Sequence, residues 1–141
     1  MGTFSVTVRV RGSARAAREV KALVDTGATH TTMPGNLMKE LGVVPVDRIS
    51  FELADERIAE LPVGEVRLQL NGRRRTVLAV FGPEHATPLL GATTLELFNL
   101  GVDPVRRRLV RVRGLLKRAL VDSRPTRFAA GRPQAGSRPA A

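Results

Sequence analysis

The chain's 141 residues are enough for one domain with a core of its own. The absence of Cys excludes disulfides, a thiolate metal site and a Cys nucleophile; with neither Trp nor Tyr and only 5 Phe, there is little aromatic surface for reading RNA bases. The formal charge of +10 lies at one end: residues 1–103 carry 12 Lys+Arg against 12 Asp+Glu, and residues 104–141 carry 11 Lys+Arg against Asp122 alone.

In chain order, Phe4, Val6, Val8 and Val10 alternate with polar residues, which predicts a half-buried strand. Nothing in this start has the charged head and long apolar centre of a signal peptide, and no apolar run approaches the about 18 residues of a membrane span. After a turn at residues 11–15, Arg18 to Val24 predicts a second strand, which ends in Asp25 and a small-residue turn, Thr26-Gly27-Ala28-Thr29. Gly27 suits a tight turn with exposed backbone, and Thr26 and Thr29 are suited to hydrogen-bond the loop. Residues 31–35 read as irregular, then Asn36 to Leu41 as a short helix stopped by Gly42.

A connection through Pro45 leads to two alternating runs, Ile49 to Leu53 and Arg57 to Leu61, a hairpin turning at Ala54-Asp55-Glu56. Pro62-Val63-Gly64 reads as a separator. Glu65 to Leu70 and Thr76 to Phe81 form a further hairpin about Asn71-Gly72, with Arg73, Arg74 and Arg75 beside the turn as a solvated, charged edge. A loop at residues 82–88 precedes Leu89-Leu90-Gly91. Thr93 to Leu100 predicts a helix ended by Gly101, and Arg108 to Arg113 a last strand. Lys117 to Val121 adds a helical turn. Residues 123–141, rich in Pro, Gly, Ala, Ser and Arg with Phe128 as their one large apolar residue, predict a disordered basic tail. The domain therefore spans residues 1–122. His30 and His85 are isolated, so no metal site and no cofactor is expected.

Val24-Asp25-Thr26-Gly27-Ala28, followed far downstream by Leu89-Leu90-Gly91 before a helix, resembles the paired loops of the retropepsin-like aspartic proteases, in particular their small cellular, non-viral members. The resemblance covers roughly Thr3 to Arg113. It implies an all-β fold with one or two short helices, a closed acid-protease barrel with one lobe per chain. The chain has a single Asp-Thr-Gly loop, so the second carboxylate comes from another subunit and the active species is a homodimer. The resemblance implies that Asp25 is catalytic, with Thr26, Gly27 and Ala28 as its loop. Two carboxylates a few ångström apart do not both ionise readily, so the pair shares a proton. One activates a water and the other polarises the scissile carbonyl. Thr26 bonds across the dimer. Leu23, Gly27, Thr29, Leu89 and the hairpin residues Ala54 and Asp55, in the place of the family's flap, contact an extended peptide with apolar side chains.

Three departures from the viral pattern stand out: the Gly-free hairpin tip, Thr29 and His30 where viral enzymes carry two Asp, and Ala92 where they carry an Arg that pairs with one of them. The reading is a cytoplasmic, metal-free aspartic endopeptidase with no membrane partner. The other reading is a non-catalytic dimeric module whose basic C-terminal tail binds nucleic acid or an acidic protein. The charge asymmetry favours it and the intact Asp25-Thr26-Gly27 opposes it.

Overall fold

A computed structural model describes residues 3–14 and 16–114. The tail at 123–141, the domain limit at residue 122 and the helical turn at 117–121 lie outside the described residues. The elements are β1 (Phe4–Arg11), β2 (Arg18–Val24), β3 (Thr31–Pro34), α1 (Gly35–Glu40), β4 (Pro45–Glu52), β5 (Ile58–Leu70), β6 (Arg73–Gly82), β7 (Leu89–Leu90), α2 (Ala92–Leu97), β8 (Leu100–Asp103) and β9 (Arg108–Arg111). Hydrogen bonding runs β1-β2-β7-β3-β6-β5 and returns from β5 to β1, so six strands close into a barrel. β4 continues outside the ring, paired antiparallel with the first half of β5.

Alternation drives the closure. In β1 the residues Val8 and Val10 are buried and Thr7, Arg9 and Arg11 exposed; in β5 Val66, Leu68 and Leu70 point in while Glu65 and Arg67 point out. The inward set meets Ala22, Val24, Met33, Met38, Leu90 and Phe98 in one core. Burying each such Val, Leu or Phe contributes about 1.5–3 kcal/mol. Asn71 (φ 55°) and Gly72 (φ 74°) form the two-residue turn between Leu70 and Arg73, with the left-handed pair of backbones that matches strand twist. Gly42 (φ 74°) follows α1 as the sequence predicts.

The structure corrects the sequence reading at several points, among them residues 45–48, read as a connection, which already belong to β4, and residues 73–75, which belong to β6. Residues 31–34 are a strand, not irregular: Thr31 and Met33 are buried, and the segment runs parallel to β6 from Thr31 opposite Ala79 to Pro34 opposite Gly82. Pro62-Val63-Gly64 does not separate two strands but lies inside β5. Pro62 precedes the β6 ladder, which starts at Val63, so on that flank its missing N–H breaks no ladder bond. Gly64 is small because a Cβ there would lie 2.6 Å from Val43 Cγ1. Finally, α2 stops at Leu97. Asn99 takes the left-handed conformation (φ 55°) that ends helices, and Leu100 and Gly101 already belong to β8. The β8–β9 hairpin turns at residues 104–107, where Asp103 Oδ1 accepts from the Val105 and Arg106 N–H groups.

Candidate active site

Asp25 is the first residue beyond β2. Leu23 and Val24 pair in parallel with Leu89 and Leu90, and the ladder extends past the strand ends: the Leu23 N–H donates to Pro88 O at 2.8 Å and the Asp25 N–H to Leu90 O at 3.1 Å. The loop then folds on itself. The Gly27 N–H donates to Asp25 Oδ1 at 2.9 Å and the Ala28 N–H to Asp25 O at 3.2 Å. One carboxylate oxygen is thereby fixed on a half-buried side chain.

The second loop locks the first. α2 has no side-chain cap, and its leading N–H groups would otherwise lack partners. Ala92 N–H instead donates to Ala28 O at 2.7 Å and Thr93 N–H to Thr29 O at 3.1 Å. The Asp-Thr-Gly-Ala-Thr loop thus serves as the cap of the helix that follows Leu-Leu-Gly. Beneath both loops, Thr31 Oγ1 accepts from the Gly91 N–H at 3.1 Å and lies 2.6 Å from Thr94 Oγ1, with both threonines buried. Thr31→Val keeps the shape and strands the Gly91 N–H and the Thr94 hydroxyl. The expected loss is about 2 kcal/mol, read as a lower denaturant midpoint with an unchanged m-value.

Two clefts meet at the loop. One, about 550 Å3, is lined by Asp25, Thr26, Gly27, Phe4, Val102 and Pro104 among others. The second, about 500 Å3, lies between the loop and the β4–β5 hairpin, with Gly27, Ala28, Thr29 and His30 on one side and Ile49, Phe51 and Leu53 on the other. The His30 and Phe51 rings meet edge-on, centroids 5.2 Å apart and planes at 89°.

The structure therefore brings Asp25, Thr26, Gly27, Ala28 and Thr29 together at the clefts. Leu23 and Leu89 face each other across the β2–β7 ladder, half-buried, and line neither cleft. Ala54 and Asp55 are exposed in the hairpin turn, where Asp55 Oδ2 accepts from Arg57 Nε at 2.6 Å, and also line neither. The hairpin residues at the cleft belong to its shaft, Ile49 and Phe51, which sequence reasoning left out together with His30. The signal was present in the alternation of Ile49 and Phe51, which sets both on one face of β4. Among the described residues no group of three or more His, Cys, Asp or Glu is placed to hold a metal ion.

A closed β-barrel in which an Asp-Thr-Gly loop caps the helix of a Leu-Leu-Gly loop defines one lobe of the acid-protease class. The family model described as "gag-polyprotein putative aspartyl protease" matches residues 10–96. The chain belongs to this retroviral-type, retropepsin-like aspartyl protease family. Among solved structures it is similar to the solution structure of simian foamy virus (mac) protease, at 16% identity and a TM-score of 0.50, covering 67% of this chain and 93% of that one. It is also similar to the foamy viral protease-reverse transcriptase in complex with RNA/DNA hybrid, at 16% identity and a TM-score of 0.50, covering 72% of this chain and 14% of that one. At such identities the likeness is one of fold. No curated protein matches the sequence.

Proposed function

We propose that two copies of this chain form an aspartic endopeptidase, with one Asp25 from each. The observation that carries the reading is the half-buried Asp25 carboxylate, pinned by the Gly27 N–H at the mouth of a family barrel. Among the described residues Asp25 is the one acidic residue lining its cleft, which supports a second carboxylate from a partner. Thr26 beside it is exposed and free to bond its counterpart across the dimer. In the reaction, one ionised Asp25 takes a proton from a water held between the pair while the other, protonated, polarises the scissile carbonyl. The water oxygen adds to the carbonyl carbon; one proton then passes from the pair to the amide nitrogen as the C–N bond breaks, and the hydroxyl proton of the intermediate returns to the pair as the new carboxyl group forms. The Gly27 carbonyl aligns the peptide backbone. The cleft under the β4–β5 hairpin takes apolar side chains against Ile49, Phe51 and Val80, and the hairpin closes over them as a flap with Ala54 and Asp55 at its tip. Leu23 and Leu89 back the site.

The dimer face proposed is the one around the first cleft. Residues 4–8 of β1 pair only with β2 among the described residues, and β9 pairs only with β8, so both present open edges. Val105, 87% exposed, projects from the adjoining turn. The test is sedimentation alongside peptide cleavage over a dilution series. Specific activity should fall as the dimer dissociates and return on concentration. A monomer with full activity overturns the proposal.

A further inference from the structure

We propose that the cleft at the C-terminal end of α2 is a second binding site, for a small molecule that carries an oligophosphate group. Its residues come from three places in the fold. Asn71 and Arg73 belong to the tight turn between β5 and β6, Phe98 and Asn99 follow α2, and Arg111 to Gly114 are the end of β9 and the chain just beyond it. The pairing of Leu100 with Arg111 ties the last two together, and the Val112 N–H donates to Asn99 O at 2.9 Å. The cleft measures about 600 Å3, a size that suits a cofactor-sized ligand, against about 550 and 500 Å3 for the two clefts at the Asp25 loop.

The chemistry of the wall points to an anion. The guanidinium groups of Arg73, Arg111 and Arg113 line it, and among the described residues no carboxylate does. None of these three arginines makes an ion pair among the described residues. Arg73 is half-buried, and a charge partly stripped of water without a counter-charge is costly. Arg75, 5.8 Å from the centre of the Phe98 ring, adds a fourth positive charge close to the floor. Glu96 lines an adjoining cleft of about 440 Å3 together with Arg113, yet no ion pair joins the two. The helix end does not account for the cations either. They stabilise a C-terminus through its unsatisfied carbonyls, but here Thr94 O and Leu95 O accept from the Phe98 N–H and Glu96 O accepts from the Asn99 N–H.

Asn71 and Asn99 carry further N–H donors; the Asn99 amide faces Gly114, where a Cβ would stand 3.1 Å from its Nδ2. Arginine's planar fork matches phosphate oxygens two at a time. A single carboxylate has two oxygens and occupies one fork, whereas an oligophosphate presents enough oxygens for three. Val112, 47% exposed, offers an apolar wall beside the arginines for the rest of the ligand. Leu100 and Arg111 close the β8–β9 ladder at the end away from the turn at residues 104–107, and the cleft shares no lining residue with either cleft at the Asp25 loop. The Asp25 loop caps one end of α2 and this cleft lies at the other, about 9 Å along a helix of six residues. The site therefore stands whether or not the chain cleaves peptides.

The experiment is calorimetric titration of the full-length chain with sodium tripolyphosphate, and with citrate as a polycarboxylate, at moderate ionic strength. Tripolyphosphate should bind saturably, one per chain, and at about a hundred-fold excess over Kd it should raise the melting temperature by about 5–10 °C. Arg113→Gln, a change at an exposed residue beyond β9, should weaken binding about ten-fold, and Arg73→Gln/Arg111→Gln about a hundred-fold, through the loss of one and two charge-assisted contacts. Without ligand both variants should melt within a few degrees of wild type, which separates loss of the site from loss of the fold. Arg48→Gln/Arg57→Gln, a loss of two charges on the β4–β5 hairpin, should bind within about two-fold of wild type, since distant surface charges are screened. The proposal is overturned by no saturable binding, by undiminished affinity in either cleft variant, or by equal losses in the two double variants. Citrate binding as tightly as tripolyphosphate also overturns it, in favour of a polycarboxylate ligand.

Discussion

On the proposed function, Asp25→Asn should yield a chain that folds and associates but has lost nearly all peptide cleavage. The amide Oδ1 can still accept from the Gly27 N–H, now at 2.9 Å, so the loop keeps its internal tie. The Asp25 N–H bond to Leu90 O and the Ala28 N–H bond to Asp25 O are backbone and unaffected. On the proposed mechanism, what disappears is the carboxylate that would activate water. General acid–base groups are worth about 10²–10⁴-fold each, and both copies are altered, so cleavage should fall by at least about 10³-fold. Association should hold or tighten, since no charge remains to repel its twin. The measurements are peptide cleavage from acid to neutral pH, sedimentation and thermal melting, wild type beside mutant. A mutant as active as wild type sinks the aspartic-protease mechanism. A mutant that unfolds makes Asp25 a structural turn residue.

The parts of this molecule that sequence pattern made visible are those specified locally. β1 and β2 follow from alternation over a few residues, the β5–β6 turn from Asn71-Gly72, and the end of α1 from Gly42. The features that stayed hidden depend on partners far along the chain. β3 is four residues long and is a strand because Thr31 to Pro34 find Ala79 to Gly82. Pro62 and Gly64 look like breakers, yet Gly64 is there for the close approach of Val43 and Pro62 stands where no β6 bond is due. At the candidate site, the Asp25-Thr26-Gly27 loop was legible because its three residues are consecutive and close on themselves through the Gly27 N–H bond to Asp25 Oδ1. The cleft formed by His30 and Phe51 was not, since an edge-on contact between a loop and a hairpin leaves no mark on either segment. The apolar hairpin side chains that line the cleft include those at alternate positions along its shaft, Ile49, Phe51 and Leu53, while Ala54 and Asp55 at the turn are exposed.

Gly91→Ala should be strongly destabilising although it adds a single methyl. The backbone of Gly91 is extended (φ −92°, ψ 175°), a conformation open to any residue, so glycine is not required there for its freedom. It is required for space. A Cβ would stand 2.4 Å from His30 O, 2.6 Å from His30 C and 2.9 Å from Ala28 O. All three are backbone atoms, and none can swing aside as a side chain does. Relief therefore means prying the loops apart. Moving Gly91 stretches its N–H bond to Thr31 Oγ1 and the Ala92 N–H bond to Ala28 O; moving residues 28–30 drags the loop that holds Asp25. Overpacking costs about 1–3 kcal/mol, and two strained hydrogen bonds add about 1 kcal/mol each. A total of about 3–5 kcal/mol is a large share of the roughly 5–15 kcal/mol that holds a domain of this size together. The melting temperature should drop on the order of 15 °C, and whatever fraction remains folded should be inactive, because its Asp25 is displaced. Gly72→Ala isolates the cause. Gly72 has φ 74° and nothing within 4 Å of a Cβ, so its substitution carries a conformational cost of about 1 kcal/mol and no clash. Thermal melts of the two variants should differ by about ten degrees, with Gly91→Ala the lower. Equal melting temperatures would mean that the two loops are not locked at Gly91, and that the rigidity of the Asp25 loop has another origin.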